Sequence, residues 1–484
     1  MKYLCGKEEI MSRSRMSLLV CGLLLVLTSW VGATILQVPG QYPTIQAGIN
    51  ASSNGDTVML APGTYTGVGN RNVFIGSRTV TLKSSGGPDV TMVDCQSLNR
   101  FAWISNANVR IEGLTITNGS LGYAGAIYCD NGSTGIVSCC NFVNNIAGSG
   151  GAIYGYGSDV HFVNCTFDGN RGTSGSSFGG AMHIQYSPHM VIDNCTFVNN
   201  QAAYGSAIST DGSTTALTNC VFRNNNTVYT GACYFANGPA VLTNCVLWGN
   251  TADYWGPAVS TSTSDVVATN CTIIWNHSIN YNEGGAFYFC MGGLTINNCI
   301  LWGNSSPQIF NYLSTSTVSY TDVQDGFSGT GNINQYPSFV DSAAWDCHLA
   351  LGSPCIDAGN PSSSYNDPAY PGYPIYAIYP SRGLVRNDMG AYGGPGADDW
   401  STCSYGPPAA PIHLVIVVSN ARSIVSGVTL TWESVSGVSS YRVYSSTEPD
   451  DGFAEDTTGV FDDTSWTAPV PDMNTFYYVT AVGE

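Results

Sequence analysis

Groups able to carry acid–base chemistry are few and scattered in this sequence. Between residues 113 and 304 the carboxylates are Asp130, Asp159, Asp168, Asp193, Asp211, Asp253, Asp265 and Glu283, and they fall at unrelated positions of a repeating pattern. Glycoside hydrolysis needs two carboxylates about one bond. Elimination from a polyuronate needs Ca²⁺-binding carboxylates beside an Arg or Lys base. Asp130 and Asp211 open Asp-Asn-Gly and Asp-Gly-Ser turns, where Asx hydrogen bonding accounts for them. Arg171 and Arg223 sit in different repeats, and His161, His183 and His189 are near one another in sequence. The expectation is a non-catalytic chain with no cofactor and no metal site. A polysaccharide lyase or glycoside hydrolase is the alternative.

A second set of side chains recurs at one spacing. The position after Gly-Ala-Ile or its variants holds Tyr128, Tyr154, His183, Ser209, Tyr234, Ser260 and Tyr288. If the Ile faces a core, strand alternation turns this position outward. A row of aromatic rings can stack on sugar faces. Tyr154, His183 and Tyr234, flanked by Tyr128 and Tyr288, are therefore the candidate glycan-binding residues. Two insertions, residues 171–178 and 278–283, are expected to wall a shallow groove over them. The competing reading is a self-stacking ladder that only steadies the fold.

Charge narrows the partners. The chain holds 15 Lys+Arg against 33 Asp+Glu, a formal net charge of −18. It has no basic run to follow phosphates, so nucleic acid is not an expected partner. Acidic sugars are repelled on average, which favours neutral glycans. The expected partner is an extracellular glycan or a cell-surface protein.

Cysteines mark the repeat that must position these residues. Asn-Cys-x-(Phe/Leu/Ile)-x-x-Asn recurs around Cys140, Cys165, Cys195, Cys220, Cys245, Cys271 and Cys299, at steps of 25, 30, 25, 25, 26 and 28 residues. The Gly-Ala-Ile motif keeps the same period. Two interleaved motifs with one period of roughly 26 residues indicate stacked coils. Apolar residues stand three before each Cys and two after it. Unbroken alternation cannot bury both, so the strand must bend between them. Asn164, Asn194, Asn219, Asn244, Asn270 and Asn298 occupy that bend and are expected to form a hydrogen-bonded ladder, which Cys139 interrupts. The cysteines are read as small buried hydrophobes, because one Cys per coil makes a line and zinc needs a tetrahedron. Cys347 and Cys355 are the expected disulfide.

These patterns predict an all-β chain: a parallel β-helix with three strands per coil and about ten coils, followed by a small β-sandwich. The 56 Gly and only 10% charged residues suit tight turns and stacked strands. Residues 1–33 read as a signal peptide: Arg13 and Arg15 precede an apolar run ending in Val31-Gly32-Ala33. This implies a secreted or outer cell-surface protein, bacterial in kind, that meets a membrane only through an anchor not evident in the sequence. The β-helix is expected over 34–320, with Thr44 capping a short helix over its first coil. A C-terminal cap follows over 321–405, a Pro-rich linker over 406–411 and a last module over 412–484.

Four resemblances support this division. YPTIQAGI and GDTVMLAPGTY, within residues 37–65, look like the opening of pectin-lyase-like right-handed β-helix proteins. GGAI at 150–153 and FxxN at 142–145, 167–170, 197–200 and 222–225 resemble the repeats of polymorphic outer-membrane proteins, which implies a surface adhesin. SPCIDAG at 353–359 with NDMGAY at 387–392 is similar to the tail of many secreted bacterial β-helix proteins. Leu430-Thr431-Trp432, Tyr441-Arg442-Val443-Tyr444 and residues 476–482 look like strands of a fibronectin type III module.

Overall fold

The computed structural model describes residues 33–280, 284–342, 345–370 and 373–397, and beyond these the strands of the C-terminal segment. The expected signal peptide (save Ala33) and the linker 406–411 lie outside the described residues. Among the described residues, no helix is long and apolar enough to cross a membrane.

One rung shows the construction. Its strands are Asp159–Val163, Thr166–Asp168, Arg171–Gly172 and Met182–Gln185. Each pairs in parallel with its counterpart in the adjacent rungs, so that Thr166, Thr196, Val221 and Val246 lie side by side. Stacking yields three long sheets of 12, 11 and 10 strands, here called A, B and D in rung order. The expected parallel β-helix with three sheets is therefore present. A fourth, sheet C, has seven short strands between B and D. It forms in the turn after the second Asn of each coil, which the sequence presents only as a loop.

The core explains the motifs. Cys140, Cys165, Cys195, Cys220, Cys245, Cys271 and Cys299 are buried in one cluster with the apolar residues on both sides. The required phase slip is made by the Asn before each Cys. Asn164, Asn194, Asn219, Asn244, Asn270 and Asn298 all have φ between 49° and 56°, a left-handed bend that lets both flanking residues face inward. Phe142, Phe167, Phe197 and Phe222 then stack inside sheet B with centroids 4.7, 4.8 and 4.9 Å apart, the strand spacing itself. In the variant GGAM at 179–182, Gly179 has φ +68°, and a Cβ on Gly180 would fall 2.2 Å from the carbonyl of Ser206 in the next rung. Only glycine allows the rungs to approach this closely.

The hydrogen-bonded ladder runs mainly through the other Asn row. Asn145, Asn170, Asn200, Asn225, Asn250 and Asn276 are fully buried, and each donates to the Oδ1 of the next from both its backbone N–H and its side-chain amide. In the expected row, Asn194 donates to Asn164 at 2.7 Å and Asn298 to Asn270 at 3.4 Å, while Asn219 Oδ1 has no partner. The row at the left-handed bend thus serves mostly as turn residues. Two of its members also hold the tail. Asn244 donates to the carbonyls of Ala391 and Gly393, and Asn270 to that of Asp388.

The rod is closed at both ends. A helix over Ile45–Ala51, capped by Thr44 accepting from the N–H of Ala47, buries Ile45 and Ile49 over the first coil. Phe327 packs on the same core at the far end. The rest of the tail lies along the side of the rod. Trp248, Ile274 and Ile300 on the outer face of sheet B form a second core with Phe339, Leu349, Met389 and Tyr392.

The expected disulfide between Cys347 and Cys355 is not formed, and both thiols are free and buried. They face different neighbours: Cys355 Sγ lies 3.3 Å from Asp322 Oδ2, and Cys347 Sγ lies 4.0 Å from Tyr392 Oη. Cys139, which interrupts the Asn row, is instead disulfide-bonded. In the C-terminal segment, seven strands form two antiparallel sheets. One contains Val415–Val418, Gly427–Thr431, Ser465–Pro469 and Val460–Asp462, and the other Ala454–Glu455, Val438–Ser446 and Phe476–Gly483.

Candidate functional site: an aromatic column and its pocket

Sheet D carries the candidate residues in one register. Tyr128, Tyr154, His183, Ser209, Tyr234, Ser260 and Tyr288 are successive partners along its outer face. The column extends beyond them to Phe74 and Trp103 at one end and Phe310 at the other. It is not one continuous floor. Ser209 and Ser260 divide it, leaving Trp103 to His183 together, then Tyr234, then Tyr288 with Phe310. Tyr128 and Tyr154 stack at 5.5 Å, as do Tyr288 and Phe310.

The insertion at 171–178 does not stand up as a wall. It folds back so that Phe178 stacks on His183 at 5.3 Å and on Tyr204 at 4.8 Å. His183 is consequently only 6% exposed and Tyr154, covered by Tyr123, only 9%, whereas an open floor was expected. The physical reason is that covering one aromatic with another removes far more apolar area from water than a polar wall would. Part of the other insertion, 281–283, lies outside the described residues.

What remains open is a pocket of about 220 Å³ between Phe178, His183 and Tyr234 on the aromatic side and Gln185, Asp211 and Asn237 on the polar side. Strand alternation puts Gln185 and Asp211 two residues beyond the column, on the same face. That signal was available in the sequence for both, and nothing comparable pointed to Phe178. Tyr154 Oη donates to Gln185 Oε1 at 2.6 Å and Asn237 donates to Asp211 Oδ1 at 2.8 Å. These bonds orient the Gln185 amide and the Asp211 carboxylate. His183 Nδ1 is buried without a hydrogen-bond partner. Desolvation pushes the His183 pKa down to about 4, against a weaker opposing pull from Asp211, so the ring is neutral near pH 7. Burial pushes the Tyr154 phenol up to about 12 and raises that of Tyr234. The pocket thus offers aromatic faces with uncharged donors and acceptors and one carboxylate, a set suited to hydroxyl groups.

Acidic side chains converge elsewhere, in the tail. Both oxygens of Asp388 accept backbone N–H groups, from Asp357 and Arg382, and Asp367 accepts from Asp388 and Gly394. Asp357 accepts from Leu384. These carboxylates tie turns together. Among the described residues, no group of three His, Cys, Asp or Glu is placed to hold a metal ion.

Comparison with known proteins bears on the fold. No curated protein matches the chain. Among solved structures, the chain is similar to a PL6 alginate lyase complexed with a trisaccharide, at 11% identity and a TM-score of 0.31, over 66% of this chain and 92% of that one. It is also similar to the PL6 family alginate lyase AlyGC, at 12% identity and a TM-score of 0.33, over 78% of this chain and 59% of that one. The right-handed β-helix region family matches residues 69–215 and 175–323, together more than half of the sequence, and the chain belongs to that family.

Proposed function

We propose that the chain is a non-catalytic glycan-binding rod, exported to the cell surface or beyond it, whose ligand enters the pocket between His183 and Tyr234. The observation that carries this reading is the pairing of aromatic walls with oriented polar groups in one pocket: Phe178 and Tyr234 beside Gln185, Asp211 and the unpartnered His183 Nδ1. Neutral sugars fit best, because Asp211 and the net charge of −18 oppose an anion here. The signal-like residues 1–33 support export. The GGAI and FxxN motifs support a surface adhesin, and the two antiparallel sheets at the C-terminus support a fibronectin type III-like module. A glycan array probed with the purified chain and with Tyr234→Ala tests the reading. Neutral glycans that bind the first and not the second are expected, and equal binding of both would refute it.

A second reading is a polysaccharide lyase or glycoside hydrolase. One feature favours it: a neutral, unpartnered His183 near Asp211 has the form of a general base. Release of unsaturated uronates or new reducing ends from a polysaccharide panel, abolished in His183→Ala, would establish it.

A further inference from the structure

We infer that the column carries a second subsite, two to three rungs from the pocket, and that it selects a glycan chain bearing an acidic group. This rests on the glycan-binding reading of the same face and extends it to the substrate class. The subsite lies where the column emerges from cover. Phe74 and Trp103 are 47% and 40% exposed, against 6% for His183. Trp103 meets Phe74 edge-on at 5.2 Å and Tyr128 at 6.4 Å. Tyr123, from sheet C, leans over Tyr154 at 4.9 Å and joins this surface to the pocket side.

Arg100 gives the surface its selectivity. Its guanidinium lies 4.8 Å over the Tyr128 ring, and its Nε is buried without a hydrogen-bond partner. Among the described residues it has no salt-bridge partner. Asp130, the carboxylate whose charge acts on it, is engaged by Trp103 Nε1 at 3.2 Å and by Asn131 at 3.1 Å. A desolvated guanidinium over an aromatic face, with no carboxylate of its own, is a ready partner for a carboxylate or sulfate on a sugar stacked against Trp103. In a chain with 15 cations among 484 residues, this local arrangement overrides the general repulsion of acids. Tyr128 and His183 are two rungs apart, about 10 Å at the strand spacing, so a ligand occupying both sites is a chain of several sugars laid along the rod.

The test is titration of the full chain with uncharged hexamers (cellohexaose, xylohexaose, maltohexaose) and acidic ones (hexamers of galacturonate and mannuronate, and a heparin hexasaccharide). At least one acidic hexamer is expected to bind about tenfold more tightly than the best uncharged one. Arg100→Gln should erase that preference and leave uncharged binding intact, while Arg100→Lys should keep part of it. Trp103→Ala should weaken hexamers about fivefold or more and leave disaccharides unaffected. Melting curves matching the parent show that the variants fold. Binding of no acidic hexamer, or a preference that survives Arg100→Gln, would overturn the inference. If His183→Ala and Tyr234→Ala leave all binding unchanged while Arg100→Gln abolishes the acid preference, the pocket reading fails and this subsite stands.

Discussion

Asn225 Oδ1 accepts two hydrogen bonds from Asn200 in the preceding rung, one from its backbone N–H at 3.0 Å and one from its side chain at 2.9 Å. Asn225 in turn donates to Phe197 O and to Asn250 Oδ1. No water reaches this line, so each member satisfies its neighbour's buried backbone.

Replacing Asn225 with Leu should therefore destabilise the rod by about 3 kcal/mol, since it orphans buried donors on both sides. Asn219→Leu, at the partly exposed bend where Oδ1 has no partner, should cost about 1 kcal/mol or less, mainly through the left-handed backbone. Chemical denaturation of the two variants checks the order. Equal losses would mean the two rows share the load.

The two Asn rows also show where sequence reading stops. Both recur with the Cys period, and both look like turn residues. Periodicity located the rungs, the inward Cys column and the bend before it. It did not say which Asn is sealed from water, because that depends on sheet C, whose strands are too short to leave an alternating pattern. The site followed the same division. Alternation put Tyr128, Tyr154, His183, Tyr234 and Tyr288 in one outward column. The cover over His183 comes from Phe178, in an insertion that no repeat constrains, and that over Tyr154 from Tyr123 in sheet C. The tail's docking on sheet B was equally hidden, since Trp248, Ile274 and Ile300 belong to outward positions that read as solvent-facing.

His183 gives the fold a pH dependence of known sign. Its folded-state pKa of about 4 lies below the ordinary value of 6.5, so the unfolded chain binds the proton more readily. Stability from this residue is fully present above pH 6.5 and is lost as pH falls toward 4. The loss should be on the order of 3 kcal/mol. Melting curves of the parent and His183→Asn at several pH values check it. The difference between them should narrow as pH falls from 6.5, and a constant difference would contradict the neutral, buried ring.

The tail carboxylates act in the opposite direction. Burial, reinforced by repulsion from Asp388 on Asp367 and from Asp357 on Asp388, holds Asp367 and Asp388 well above the ordinary carboxylate value of 3.8. The folded tail keeps protons that the unfolded chain has released, so stability falls as pH rises from about 4 through neutrality. Above pH 6.5, where the His183 contribution is complete and no longer changes, the parent should melt progressively lower as pH increases. Asp367→Asn should flatten that slope. A slope unchanged in the variant would place the effect elsewhere.

Cover over the column is also testable. Phe178→Ala should expose His183 and Tyr204, costing about 2–4 kcal/mol through lost aromatic packing. It should also return the His183 pKa toward 6.5, read by NMR titration of the ring. A His183 that stays near 4 in this variant would show that Phe178 is not what desolvates it.

The central claim is that the pocket between His183 and Tyr234 binds a sugar, and calorimetric titration tests it most directly. The ligand is the strongest neutral glycan found on the array. The proteins are the parent, Tyr234→Ala in the pocket, and Tyr288→Ala in the same column but outside it. The account predicts that Tyr234→Ala loses affinity by about tenfold or more while Tyr288→Ala does not, with the fold intact in both. Equal affinity in all three proteins would contradict it and leave the aromatic column a structural ladder.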